Sequence, residues 1–196
     1  MSLQVSDEAL ALILDAEGLD QPSQWTGGAS CITIGVGYDL GFVTPEQFEE
    51  DWSPYLSGDE IDRLKDVIGL SGDRARQRAG EFRDIRIKRA DAEAVFKQRT
   101  LPLYSKRTED AFPGVDELPP AAQGALVSLV FNRGTAMDGD RRREMRAIRD
   151  AVAEGDLKEI ANQLRAMKRL WEGKGLDGLL KRRDAEADLV ESAIDS

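Results

Sequence analysis

A chain of 196 residues, 41% apolar and 33% charged, is long enough for a sizeable core and too apolar to be disordered. Its formal charge of −10 excludes non-specific binding to nucleic acid. It has no histidine and one cysteine, Cys31. That excludes Ser-His-Asp and Cys-His catalysis, histidine-ligated zinc and internal disulfides, and leaves carboxylates as the acid–base groups.

The first predicted helix starts at Ser6, an N-cap with Asp7 and Glu8 in the first turn. Leu10, Ile13 and Leu14 form its apolar stripe, Glu17 falls on the same stripe, and Gly18 is the C′ residue. Desolvation at such a position raises a carboxyl pKa, as a general acid requires. Ile32, Ile34, Val36 and Tyr38 then alternate with Thr33, Gly35, Gly37 and Asp39, a period-two β pattern with one apolar face. Thr33 and Asp39 are the functional side chains of the other face. A straight strand would hold them about 20 Å apart, so they share a site only if the chain turns at Gly35 and Gly37.

Thr44-Pro45-Glu46-Gln47 opens a helix to about residue 52, with Phe48 and Trp52 inward. Ser57 to Glu60 is a second capping box, with Ile61, Leu64, Val67 and Ile68 inward. Residues 73–83 form a helix whose Arg74, Arg76, Arg78 and Arg83 make a solvated basic face. Asp91 to Thr108 is a helix kinked near Pro102. Residues 120–133 are almost uninterrupted apolar, the mark of a helix buried on most sides, closed by Asn132 and Gly134. Its polar Gln123 and Asn132 require partners. Three helices follow, 141–154, 157–170 and 176–194, and Arg182 and Arg183 are spaced to pair with Glu186.

Glycoside hydrolysis runs on two carboxylates, and Glu17 and Asp39 are the candidates. The stretch TIGVGYDLG (33–41), with Glu17-Gly18 upstream, resembles the phage-lysozyme type of muramidase, and within it the pesticin-like branch. PPAAQGALVSLVFNRG (119–134) resembles the family's buried central helix, and GLLKRRDAEADL (178–189) its closing helix. The resemblance implies Glu17, Thr33 and Asp39 as catalytic residues, and Tyr38, Gln123 and Asn132 on the substrate side. Where the commoner phage pattern has its aspartate, this chain has Thr26, and Asp20 is the rival second carboxylate.

The implied fold is α+β, mostly helical and lysozyme-like. One domain over 1–196 is expected, with a small N-terminal lobe of about 1–70 holding the β-hairpin and a helical lobe of about 71–196. The implied function is a peptidoglycan hydrolase cutting the β-1,4 bond between N-acetylmuramic acid and N-acetylglucosamine, with inversion, as a phage endolysin or antibacterial effector. A lytic transglycosylase and a non-catalytic glycan-binding module are the alternatives. No metal or cofactor is implied. The expected partners are peptidoglycan glycan strands and an immunity or inhibitor protein, not nucleic acid, and the chain is expected to be a monomer. No apolar run nears the ~18 residues of a membrane span. The N-terminus lacks the regions of a signal peptide. Synthesis in the cytoplasm is expected, with action on periplasmic or extracellular peptidoglycan after release or injection.

Overall fold

The computed structural model describes residues 3–25 and 27–194. Ten α-helices and one two-stranded antiparallel sheet make up its regular structure among these residues. The protein is mostly helical with a small hairpin, an α+β fold of lysozyme type. It divides into two compact units, Glu17–Leu101, and Met1–Ala16 together with Pro102–Ser196. The first helix up to Ala16 groups with the C-terminal residues, and Glu17 opens the other unit. Periodicity along the sequence carries no sign of which distant helix will cover a given face.

In the first unit, strands β1 (Thr33–Ile34) and β2 (Tyr38–Asp39) form the hairpin. Helix α2 (Pro45–Trp52) begins as its sequence demands, with Thr44 Oγ1 accepting from the Gln47 N–H and Pro45 in the first turn. Helix α3 (Gly58–Lys65) carries a complete capping box between Ser57 and Glu60. Phe48, Trp52, Ile61, Leu64 and Val67 are buried. Helix α4 (Gly72–Ala79) buries Ala75 and Ala79, while Arg74, Arg76 and Arg83 are exposed, so the basic face is a solvated one.

The helix expected over 91–108 runs longer and is not regular. It comprises α5 (Arg89–Val95), a π-turn (Phe96–Thr100) and α6 (Leu101–Ala111). Pro102 has no N–H to give and crowds the preceding turn. The chain widens just before it, so that Leu101 N–H reaches Phe96 O. Leu103, one of the helix's apolar residues, is 49% exposed.

The other unit is built on α7 (Pro120–Arg133), whose residues from Ala122 to Val130 are all buried. Its Gly124 lies against α1 (Asp7–Glu17): an added Cβ would sit 2.3 Å from the Ala9 Cβ. Ser6 caps α1 through its hydroxyl, which accepts from Ala9 N–H at 3.2 Å. Helices α8 (Arg143–Glu154), α9 (Leu157–Ala166) and α10 (Asp177–Ser192) complete it, burying Met145, Ile148 and Val152, then Ile160, Leu164 and Met167. The predicted pairing of Arg182 and Arg183 with Glu186 forms a buried cluster. Glu186 Oε1 accepts from Arg183 Nη2 at 2.7 Å and from Ser128 Oγ at 2.6 Å.

Candidate active site

Both hairpin glycines are forced. Gly35 and Gly37 have φ of +63°, a region that suits glycine. At Gly35 a Cβ would also meet Trp52 at 3.0 Å and Ala92 at 3.1 Å. The turn they permit sets the register: Thr33 pairs with Asp39 and Ile34 with Tyr38. Directly opposite residues on one face hold their Cβ atoms about 4.5–5.5 Å apart. The two functional side chains of the segment are thus cross-strand neighbours, both half-exposed, while Ile32, Ile34, Val36 and Leu40 are buried.

Asp39 is tightly held. Its Oδ1 accepts the Gly41 N–H at 2.7 Å. One step outward from the Thr33–Asp39 pair, Cys31 stands across from Gly41, where a Cβ would lie 2.1 Å from its Sγ. Burial, then the negative charge of Asp39 beside it, push the Cys31 thiol up, so the group packs as a neutral thiol. Sequence pattern alone does not reveal this clamp. The period-two pattern contained it, since Cys31 and Thr33 share a face, but only the register brings Gly41 opposite.

Glu17 ends α1, half-buried, and Gly18 follows at φ +72°. Asp20 pairs with the hairpin turn through Asp20 N–H to Gly35 O at 2.7 Å and Gly35 N–H to Asp20 O at 2.9 Å. Burial raises the Asp20 pKa, the Gly37 N–H opposes this, and the charge of Glu17 adds to the rise. Glu17 and Asp20 therefore feel one another at the hairpin, and Glu17, Asp20, Thr33 and Asp39 all belong to the Glu17–Leu101 unit.

Two of the expected substrate contacts are buried. Tyr38 is 7% exposed and lies edge-on to Trp52, with ring centroids 5.6 Å apart. Its hydroxyl donates to the buried Asp51 at 2.8 Å, and Asp51 is in turn paired with Arg99. Burial and Asp51 drive the phenol pKa upward. Gln123 is 4% exposed, and its amide is used internally. Oε1 accepts from Gln4 N–H at 2.7 Å, and Nε2 donates to Asp116 O and Leu118 O. It ties down the chain before α1. The polar atoms of both side chains are hydrogen-bonded within the protein. Asn132 is half-exposed near the end of α7, in the other unit. Thr26 lies outside the described residues.

No curated protein matches this chain in sequence. The model of the phage lysozyme family matches residues 15–186, a span opening just before Glu17 and closing at Glu186. With the helical fold and small hairpin, that match covers most of the chain, and the chain belongs to the phage lysozyme family.

Proposed function

We propose that this peptidoglycan hydrolase is a muramidase of the pesticin-like pattern, cutting the bond between N-acetylmuramic acid and N-acetylglucosamine with inversion. The observation that carries the reading is the pairing of Thr33 opposite Asp39, on the unit that also holds Glu17. Glu17 gives its proton to the leaving glycosidic oxygen. A water held between the Thr33 hydroxyl and the Asp39 carboxylate attacks the anomeric carbon from the other face, and its proton passes to Asp39. Asp39 suits the base better than Asp20. The Gly41 N–H holds the Asp39 carboxylate in place opposite Thr33, whereas burial holds a proton on Asp20 to higher pH.

Among the described residues no helix is long and apolar enough to cross a membrane. The site acts on wall polymer outside the cytoplasm, delivered by phage lysis or as an antibacterial effector. Turbidity clearing of purified peptidoglycan tests the assignment. Glu17→Gln and Asp39→Asn should remove activity from folded protein, and Asp20→Asn should leave most of it. The reverse ranking of the two aspartates would make Asp20 the base. Mass spectrometry showing 1,6-anhydro ends would select a lytic transglycosylase. NMR of the first-formed product showing a retained anomer would make Asp39 a nucleophile.

A further inference from the structure

In a chain of net charge −10, one part of the helical unit is crowded with arginine. Arg133 ends α7, Arg141 and Arg142 lie in the 3-10 turn Asp140–Arg142, and Arg143 opens α8. The nearby carboxylates are already engaged, since Asp140 and Glu144 each pair with both Arg143 and Arg169. Among the described residues neither Arg133 nor Arg142 is ion-paired. Arg133 lies over the Trp171 ring, 4.9 Å from its centroid, and its Nη2 donates to Arg141 O at 2.9 Å. Its Nε is buried without an acceptor, and so is Nη1 of Arg142.

This cluster is unfavourable as it stands. Burial, with Arg142, Arg183 and Arg141 close by, pulls the Arg133 guanidinium down to about 10, and Glu144 only partly opposes them. Like charges held together with unused donors lack an acceptor of opposite sign. Guanidinium forks match the oxygens of a carboxylate or a phosphate, and the Trp171 face keeps one fork in a fixed plane. Arg133 and Arg142 are half-exposed, so their long stems can turn the forks outward.

We propose that Arg133, Arg141 and Arg142 form a binding site for an oxyanion carried by the cell-wall polymer. The identity of the polymer rests on the hydrolase reading; the anion site does not. Wall polymers offer this chemistry from two sources, the carboxylates of peptide side chains and the phosphates of attached polyols. An acidic enzyme meeting an anionic polymer gains from one local positive face, which sets orientation without net attraction.

The test is thermal unfolding of the full chain at constant ionic strength, with inorganic phosphate, N-acetyl-D-glutamate or chloride as the added anion. A site predicts a Tm rise of about 5–10 °C at a hundred times Kd. The rise should be absent with chloride, lost in Arg142→Gln and retained in part in Arg142→Lys. Phosphate alone giving the rise points to a phosphate polymer, and the carboxylate giving it points to the peptide. An equal rise in Arg142→Gln, or with chloride, overturns the proposal. Side-chain N–H resonances of Arg133 and Arg142 in the wild type give a second reading without any variant. They should shift on titration, and unmoved resonances overturn the site. A turbidity assay on the same wild-type chain separates the two readings, because anion binding by a wild-type chain that never clears a wall suspension would sink the muramidase and keep the anion site.

Discussion

Gly41→Ala tests the Asp39 clamp directly. Gly41 does not have a positive φ, so alanine suits its backbone and any cost comes from contact. The new methyl would lie 2.1 Å from Cys31 Sγ, 2.9 Å from Cys31 Cβ and 3.0 Å from Asp39 Oδ1. Ordinary contacts are about 3.5–4.0 Å, so the strands must part by more than an ångström on this face. Overpacking of this kind costs about 1–3 kcal/mol. Weakening the Gly41 N–H bond to the Asp39 carboxylate adds about 1.5 kcal/mol. The expected loss is about 2.5–4.5 kcal/mol in urea unfolding, or roughly 5–18 °C in Tm for a chain this size. Lytic activity should fall about 10²-fold, since a displacement near 1 Å at a reacting group has that effect. Cys31→Ala in the same chain removes the worst contact, so the double variant should recover at least about 1 kcal/mol relative to additivity. Gly41→Ala within 0.5 kcal/mol of wild type would refute the packing reasoning. Full stability loss with unchanged activity would refute the placing of Asp39 in the machinery.

Asp20→Asn should raise Tm at pH 7. The folded pKa of Asp20 is raised above 3.8, so its ionised form weakens the fold once the pH exceeds that range, and the gain should vanish toward pH 3. A gain of the same size at pH 3 would assign it to something other than charge. Arg183→Met leaves Glu186 buried beside one fewer cation and should cost about 3–5 kcal/mol by denaturant titration, partly restored by adding Glu186→Gln. A loss below 1 kcal/mol would show the cluster to be dispensable. Gly124→Ala should destabilise by about 1–2 kcal/mol despite alanine's better helix propensity, because its Cβ would meet Ala9 at 2.3 Å. A more stable variant would mean that α1 moves aside freely.

The helices were legible where local chemistry decides them. Ser6, Thr44 and Ser57 cap through their own hydroxyls, and the apolar run from 120 to 133 could only be buried. The hairpin of the candidate site was legible as far as period two and two glycines reach, and its register sets Thr33 opposite Asp39. What escaped were relations between distant residues. Tyr38 alternates like a surface-to-core residue, yet its hydroxyl ends on Asp51, thirteen positions on. Gln123 requires partners on a buried helix, but that one of them is Gln4, from far along the chain, is visible only in the structure. The π-turn at 96–100 depends on a proline beyond it, and composition alone gives a kink but not its form. The arginines at 133 and 141–143 carry no signal in the sequence, because only the structure shows which carboxylates are already engaged.

The division of the chain has a kinetic consequence. Helix α1 is made before the Glu17–Leu101 unit, yet its buried face, Ala9, Ile13 and Leu14, belongs to a unit that resumes only at Pro102. The neighbour at Gly124 emerges only after the whole Glu17–Leu101 unit has been translated. At typical elongation rates of ~5–20 residues per second the delay is on the order of ten seconds, far longer than the microseconds a helix needs to form. During that time the nascent α1 displays an apolar stripe with nothing to cover it, while the intervening unit is contiguous and free to fold. Ribosome-associated chaperones have a window at this segment, and premature association between neighbouring nascent chains would begin there.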